Sequence, residues 1–180
     1  MDFYLSPEGQ PYLEEIKRLA AQTPSEETDS LLLGYAVEGI RMEGAAGLYR
    51  KASAVDTIVE ADGRKVSVRP GDRIFVSLGG AAKDPKYFPE PEKVNPRRPL
   101  DAYIHYGAEP YAWLGRKVNQ VALTELFRTI FRKKGLRRAA GPQGLLKKIP
   151  QPGGFSAYLT EDWGTVSPFP TSMKVTWDDE

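Results

Sequence analysis

Apolar positions recur along this chain first at helical spacing, then at strand spacing, then at helical spacing again. Tyr12, Leu13, Ile16, Leu19 and Ala20 follow Pro11, a residue suited to a first turn, and predict a helix over about 11–22. Leu33, Ala36, Val37 and Ile40 share a face of a second helix, expected over about 29–42 with Asp29 as its N-cap. Glu26, Glu27 and Asp29 suit the positive end of that helix. Alternation then takes over in 57–61 and 64–68 around Asp62-Gly63, a hairpin signal for about 56–69. Arg73 to Leu78 resumes as strand or buried segment.

Prolines 85, 89, 91, 96 and 99 preclude regular helix and predict an ordered meander or a loose loop over 79–107. The longest helical pattern runs over about 114–132. Val118, Val121, Ala122 and Leu126, joined by Leu123, Phe127, Ile130 and Phe131, make it apolar over much of its circumference, so deep burial is expected. Short strands are expected at about 154–160 and 172–177. The reading is a mainly α chain with small β-sheets, an α+β class, in one domain or one part of a larger domain spanning 1–180.

Composition narrows the chemistry. Lys plus Arg number 25 and Asp plus Glu 24, so no global charge argues for nucleic acid or an anionic membrane surface. No apolar run approaches the ~20 residues that span a bilayer, and the opening Met1-Asp2-Phe3-Tyr4 is unlike a signal peptide. The expected localisation is cytoplasmic, as a soluble protein. There is no cysteine, which removes disulfides, thiolate metal sites and cysteine nucleophiles together. One histidine, His105, and no nucleophile-elbow or phosphate-loop pattern leave little room for a triad or a nucleotide site.

Three local features carry what chemistry remains. Glu38 and Arg41 lie three apart on one helical face and can pair, although surface pairs of this kind are common. Asn95-Pro96-Arg97-Arg98-Pro99 holds arginine between prolines, where a planar multi-donor head can meet that pair. Tyr103-Ile104-His105-Tyr106-Gly107-Ala108-Glu109-Pro110-Tyr111-Ala112-Trp113-Leu114-Gly115-Arg116 is a glycine-bearing loop that opens the longest helix.

In this order the three features resemble the C-terminal part of the cytochrome P-450 fold. More narrowly, Glu38-Gly39-Ile40-Arg41, then Gly47-Leu48-Tyr49-Arg50-Lys51, Arg98-Pro99-Leu100-Asp101-Ala102-Tyr103-Ile104-His105-Tyr106-Gly107 and Leu114-Gly115-Arg116 resemble the fungal linoleate diol synthases and psi-factor-producing oxygenases. The resemblance implies a structural triad in which Arg98 locks onto Glu38 and Arg41. It also implies haem as the family's cofactor. In the full-length family an N-terminal peroxidase/cyclooxygenase-like domain makes a fatty-acid hydroperoxide, and a C-terminal haem-thiolate domain isomerises it to a diol.

Departures from that pattern set the functional expectation. Tyr106, Gly107 and Gly115 match the family's haem loop, but Glu109 stands for its second glycine, Tyr111 for its basic residue and Trp113 for its cysteine. Indole offers only a donor, its bulk is expected to project toward the iron position, and no residue replaces the thiolate that drives O–O chemistry. His105, eight residues before the ligand position, is not expected to substitute. No metal ligand and no haem are therefore expected in this chain. The expected function is a remnant haem-thiolate domain inactive as an isomerase, partnered by the N-terminal domain of the longer family. The alternatives are a stand-alone interaction or scaffold protein and a haem binder with unusual ligation. Arg128, Arg132, Lys133, Lys134, Arg137 and Arg138 complement the negative end of the preceding helix and are expected as a solvated basic face.

Overall fold

A computed structural model describes residues 1–43, 47–60, 62–151, 155–162, 164–167, 170 and 172–178. Three helices make its core: α1 (Gln10–Ala21), α2 (Glu26–Glu43) and α4 (Arg116–Phe131), with a one-turn helix α3 (Leu78–Ala81) between the last two. The strands are β1 (Gly47–Lys51), β2 (Asp56–Val59), β3 (Lys65–Val68), β4 (Arg73–Ser77), β5 (Arg137–Arg138), β6 (Lys148–Gln151), β7 (Phe155–Leu159), β8 (Val166–Ser167) and β9 (Val175–Thr176). All pair antiparallel, in four small sheets ordered β1-β4, β2-β3, β5-β9 and β6-β7-β8. The expected α+β class is what the structure has.

The core forms where α1, α2 and α4 meet around the amino-terminal turn Phe3–Leu5. Tyr4, fully buried, packs edge-on against Phe3, Tyr35, Phe127 and Phe131, with ring centroids 5.1–6.2 Å apart. Such T-shaped packing places positive ring edges on negative ring faces. The Tyr4 hydroxyl keeps a partner by donating to the Tyr35 carbonyl at 2.6 Å. Ile16 and Leu19 complete the interior at the spacing that predicted α1, whereas on α2 the buried leucine is Leu32, outside the expected face, and Ile40 of that face is exposed.

Several expectations are corrected. Helix α2 begins at Glu26, because Ser25 and Thr28 form a reciprocal cap: the Ser25 N–H donates to Thr28 Oγ1 at 2.9 Å and the Thr28 N–H to Ser25 Oγ at 3.2 Å. Asp29, expected as the N-cap, lies a turn inside and pairs with Arg128. Only one side of α4 is buried, at Thr124, Phe127, Arg128 and Phe131. On the other side Val118, Val121 and Leu126 are 75%, 67% and 54% exposed, and Leu114, expected as the first residue of the helix, lies exposed just before it, so the all-round apolar pattern does not bring the deep burial expected of it.

The basic residues after position 127 are not one solvated face. Arg128 is buried and donates to the Gln22 carbonyl, to Thr28 and to Asp29, tying α4 to both other helices. Arg138 donates to the carbonyls of Asp2, Leu5 and Gly144, and Arg137 pairs with Asp178. The single turn α3, which Ser77 Oγ caps by accepting from the Gly80 N–H, overlaps the first residues of the expected meander but ends before Pro85, the first of its prolines. β1, β5, β6 and β8 were not among the expected strands; two of the four are two residues long, too short for alternation to register. Residues 61 and 154, expected at strand ends, lie outside the described residues. Among the described residues no helix is long and apolar enough to cross a membrane.

Candidate functional site

The site is built where α2 meets the meander and the stem of the loop before α4. Helical geometry puts Glu38 and Arg41 on one face, turned inward, where both side chains are wholly buried. Arg41 Nε donates to Glu38 Oε1 at 2.6 Å and Nη2 to Oε2 at 2.9 Å, a fork-on-fork pair. The remaining donors of Arg41 reach the meander backbone: Ala82 O at 3.2 Å, Pro91 O at 2.6 Å and Lys93 O at 3.0 Å. Arg98 Nε approaches Glu38 Oε2 at 3.4 Å, and its Nη2 donates to the Glu90 and Lys93 carbonyls, both at 3.2 Å. The ring of Phe88 lies under both guanidinium groups, 5.3 Å from Arg41 and 5.9 Å from Arg98.

So the three residues singled out from sequence do meet, and the geometry explains how a proline-rich segment holds one shape. Three meander carbonyls with no sheet or helix partner are satisfied by a single guanidinium anchored on a helix. Two further donors on Glu38 were missed. The Asn95 N–H reaches Oε2 at 2.8 Å, and the Tyr103 hydroxyl donates to Oε1 at 2.6 Å. The available signal for Tyr103 was a phenol three residues before Tyr106-Gly107, in a segment already suspected of docking. Burial favours protonation of Glu38, but the bonds from Arg41, Tyr103 and Asn95 outweigh it and hold the carboxyl below the usual range. Burial, reinforced by donation to Glu38, pushes the Tyr103 phenol far up, so it stays a donor.

His105 extends the same strap. Its ring lies 5.5 Å from that of Tyr103, and Nε2 is 3.3 Å from the Val37 carbonyl. Burial lowers its pKa, against the pull of the Val37 carbonyl and Glu38, so the folded chain takes up its proton less readily than the unfolded one. Stability is then complete above the ordinary histidine range and falls as pH drops below about 6.5, by at most about 1.4 kcal/mol per pH unit. As His105 is the sole histidine, denaturant titrations at pH 7.5 and 5.5 should show a smaller acid loss in His105→Gln than in the parent; equal losses would refute this.

Beyond the stem, the loop closes on itself. The Gly107 N–H donates to Ile104 O at 3.0 Å, the Tyr111 N–H to Ala108 O at 2.7 Å and the Trp113 N–H to Tyr106 O at 2.8 Å. Gly107 has φ +76°, and a Cβ there would lie 2.7 Å from the Tyr111 carbonyl, so both backbone and space require glycine. The Trp113 indole folds back onto the loop, stacking on Tyr106 with 6.0 Å between centroids and 22° between planes, instead of projecting alone. Tyr111 and Glu109 are exposed.

The cytochrome P-450 family model matches residues 38–115, the stretch from Glu38 to the end of this loop. A bifunctional dioxygenase (DOX)-epoxy alcohol synthase (EAS) of Fusarium oxysporum is 63% identical over 179 residues, which are 99% of this chain and 14% of that protein. A psi-producing oxygenase A of Aspergillus fumigatus is 43% identical over 178 residues, 99% of this chain and 16% of that protein. The chain belongs to the cytochrome P-450-like part of the fungal fatty-acid oxygenases. It spans 14–18% of the length of the curated relatives it matches. Among solved structures, the cytochrome P-450 CYP105D6 superposes with a TM-score of 0.61 over 97% of this chain and 40% of its own, at 16% identity, which shows the shared fold.

Haem is the cofactor of the cytochrome P-450 family, and the residues present do not fit its thiolate ligation. No sulfur anion is available anywhere in the chain, and position 113 carries an indole whose only polar atom is a donor. The His105 Nε2 is turned toward the Val37 carbonyl. Among the described residues no group of three His, Cys, Asp or Glu side chains is placed to hold a metal.

Proposed function

We propose that this chain is a P-450-like domain, or part of one, that keeps the architecture of a fatty-acid oxygenase's haem-thiolate domain without its catalysis. The observation that carries this reading is chemical: tryptophan stands where the family's loop presents its iron ligand, in a chain without cysteine. Tyr106, Gly107, Tyr111, Trp113 and Gly115 are then a vestigial haem loop. Glu38, Arg41 and Arg98 act structurally, holding meander and loop stem against α2. Any dioxygenase activity of a longer protein resides in its other, peroxidase/cyclooxygenase-like domain, which handles the fatty acid. The exposed apolar stripe on α4 supports a role packed against further polypeptide over that of an isolated scaffold.

The purified chain titrated with haem tests this directly. Broad absorption that never saturates is expected, together with no conversion of a fatty-acid hydroperoxide. A sharp Soret band saturating near one haem per chain overturns the reading.

A further inference from the structure

Gly115 presents a small puzzle. Its backbone, φ −76° and ψ 3°, is open to any residue, so conformation does not explain a glycine there. Space does. A Cβ at 115 would lie 2.5 Å from Cζ2 and 2.7 Å from Cε2 of the Trp113 indole, closer than such atoms approach. The indole therefore lies close over Gly115 and also stacks on Tyr106. Tyr106 in turn is tied to α4: its ring faces the Arg116 guanidinium at 5.9 Å, and its hydroxyl donates to Asn119 Oδ1 at 3.3 Å. Arg116 donates onward to the Leu100 carbonyl at 3.2 Å. The Trp113 N–H bond to Tyr106 O closes the ring of contacts.

We propose that Trp113 and Tyr106 form an aromatic latch, seated on Gly115, that orders the 106–116 loop from within and does the work a bound group would otherwise do. The proposal rests on the reading that the loop holds no haem. It adds that the residue replacing the ligand gives the loop a new internal support. Removing the indole therefore loosens the loop, and returning a cysteine to position 113 loosens it as well, since a thiol neither stacks on Tyr106 nor covers Gly115. An offset aromatic stack contributes about a two- to tenfold shift in a local closing equilibrium.

Trypsin cleavage after Arg116 and Lys117 in the full chain, without haem, reads the open population of this segment, and cleavage after Lys65 in the β2–β3 hairpin reports unfolding elsewhere. Trp113→Ala and Trp113→Cys are expected to speed cleavage at 116–117 about two- to tenfold with Lys65 unaffected, while Trp113→Phe stays near the parent. Gly115→Ala should speed it in the parent and add little in the Trp113→Ala chain. The latch is overturned if Trp113→Cys is cut no faster, if both regions open together, or if Gly115→Ala acts equally in both backgrounds. A Soret band would defeat the haem reading but leaves these digestion rates unchanged, so the two failures are distinguishable.

Discussion

Arg41→Ala is expected to destabilise the chain by about 3–5 kcal/mol, a large part of the stability of an ordinary domain. The size follows from what stays behind. Glu38 remains wholly buried with its best partner gone, and the carbonyls of Ala82, Pro91 and Lys93 lose a common donor in the interior. Arg98 moderates the loss at Glu38 only weakly, at 3.4 Å. Exposed Arg132 should change stability by no more than about 0.5 kcal/mol as alanine. Urea unfolding of the two variants beside the parent measures the contrast, and equal small effects would deny the buried cluster its structural role. The cluster also predicts an acid limb. The Glu38 carboxyl titrates below its unfolded value, so its contribution is full at neutral pH and is lost as pH falls from the ordinary carboxylate range through its folded pKa. Glu38→Gln should remove that limb together with much of the neutral-pH stability.

What could be read from the sequence divides along a physical line. Helices α1 and α2 and the β2–β3 hairpin announce themselves because local spacing and Asp62-Gly63 act within a few residues. Glu38, Arg41 and Arg98 were singled out by order and resemblance, since nothing local separates this pair from the exposed Lys17–Glu14 pair three apart on α1. Tyr103 escaped notice because its bond to Glu38 spans 65 positions, and no pattern within the loop marks a phenol as a donor to a distant carboxylate. Arg128 was misread for a related reason. A basic run after a helix is ordinarily solvated, but here α1 ends and α2 begins close enough that the Gln22 carbonyl, Thr28 and Asp29 receive one of its members. The α4 pattern was read correctly as apolar but not as one-sided, because periodicity reports which faces can be buried and not what lies against them.

Glycine 34 supplies the second large effect, one invisible in the sequence. It sits in the middle of α2, where glycine ordinarily weakens a helix by about 1 kcal/mol relative to alanine. Propensity alone thus predicts that Gly34→Ala stabilises. The tertiary structure reverses the sign: a Cβ at 34 would lie 2.0 Å from the carbonyl oxygen of Pro96 and 2.7 Å from its carbon. Both are backbone atoms of the meander, so no side chain can swing aside. Nor can the meander retreat freely, because Asn95 and Arg98, on either side of Pro96, are bound to Glu38 one turn along the same helix. Relief requires parting α2 from the segment that the buried cluster clamps, and a net loss of about 2–3 kcal/mol or more is expected despite the gain in helix propensity. Gly63→Ala gives the contrast: it has φ +84° and nothing within 4 Å, so only the backbone penalty of about 1 kcal/mol applies. If Gly34→Ala unfolds at the same or higher urea concentration than the parent, the close seating of the meander on α2 is wrong. The clamp through Glu38 and Arg41 would fall with it, since both rest on the same approach of Pro96 to the helix.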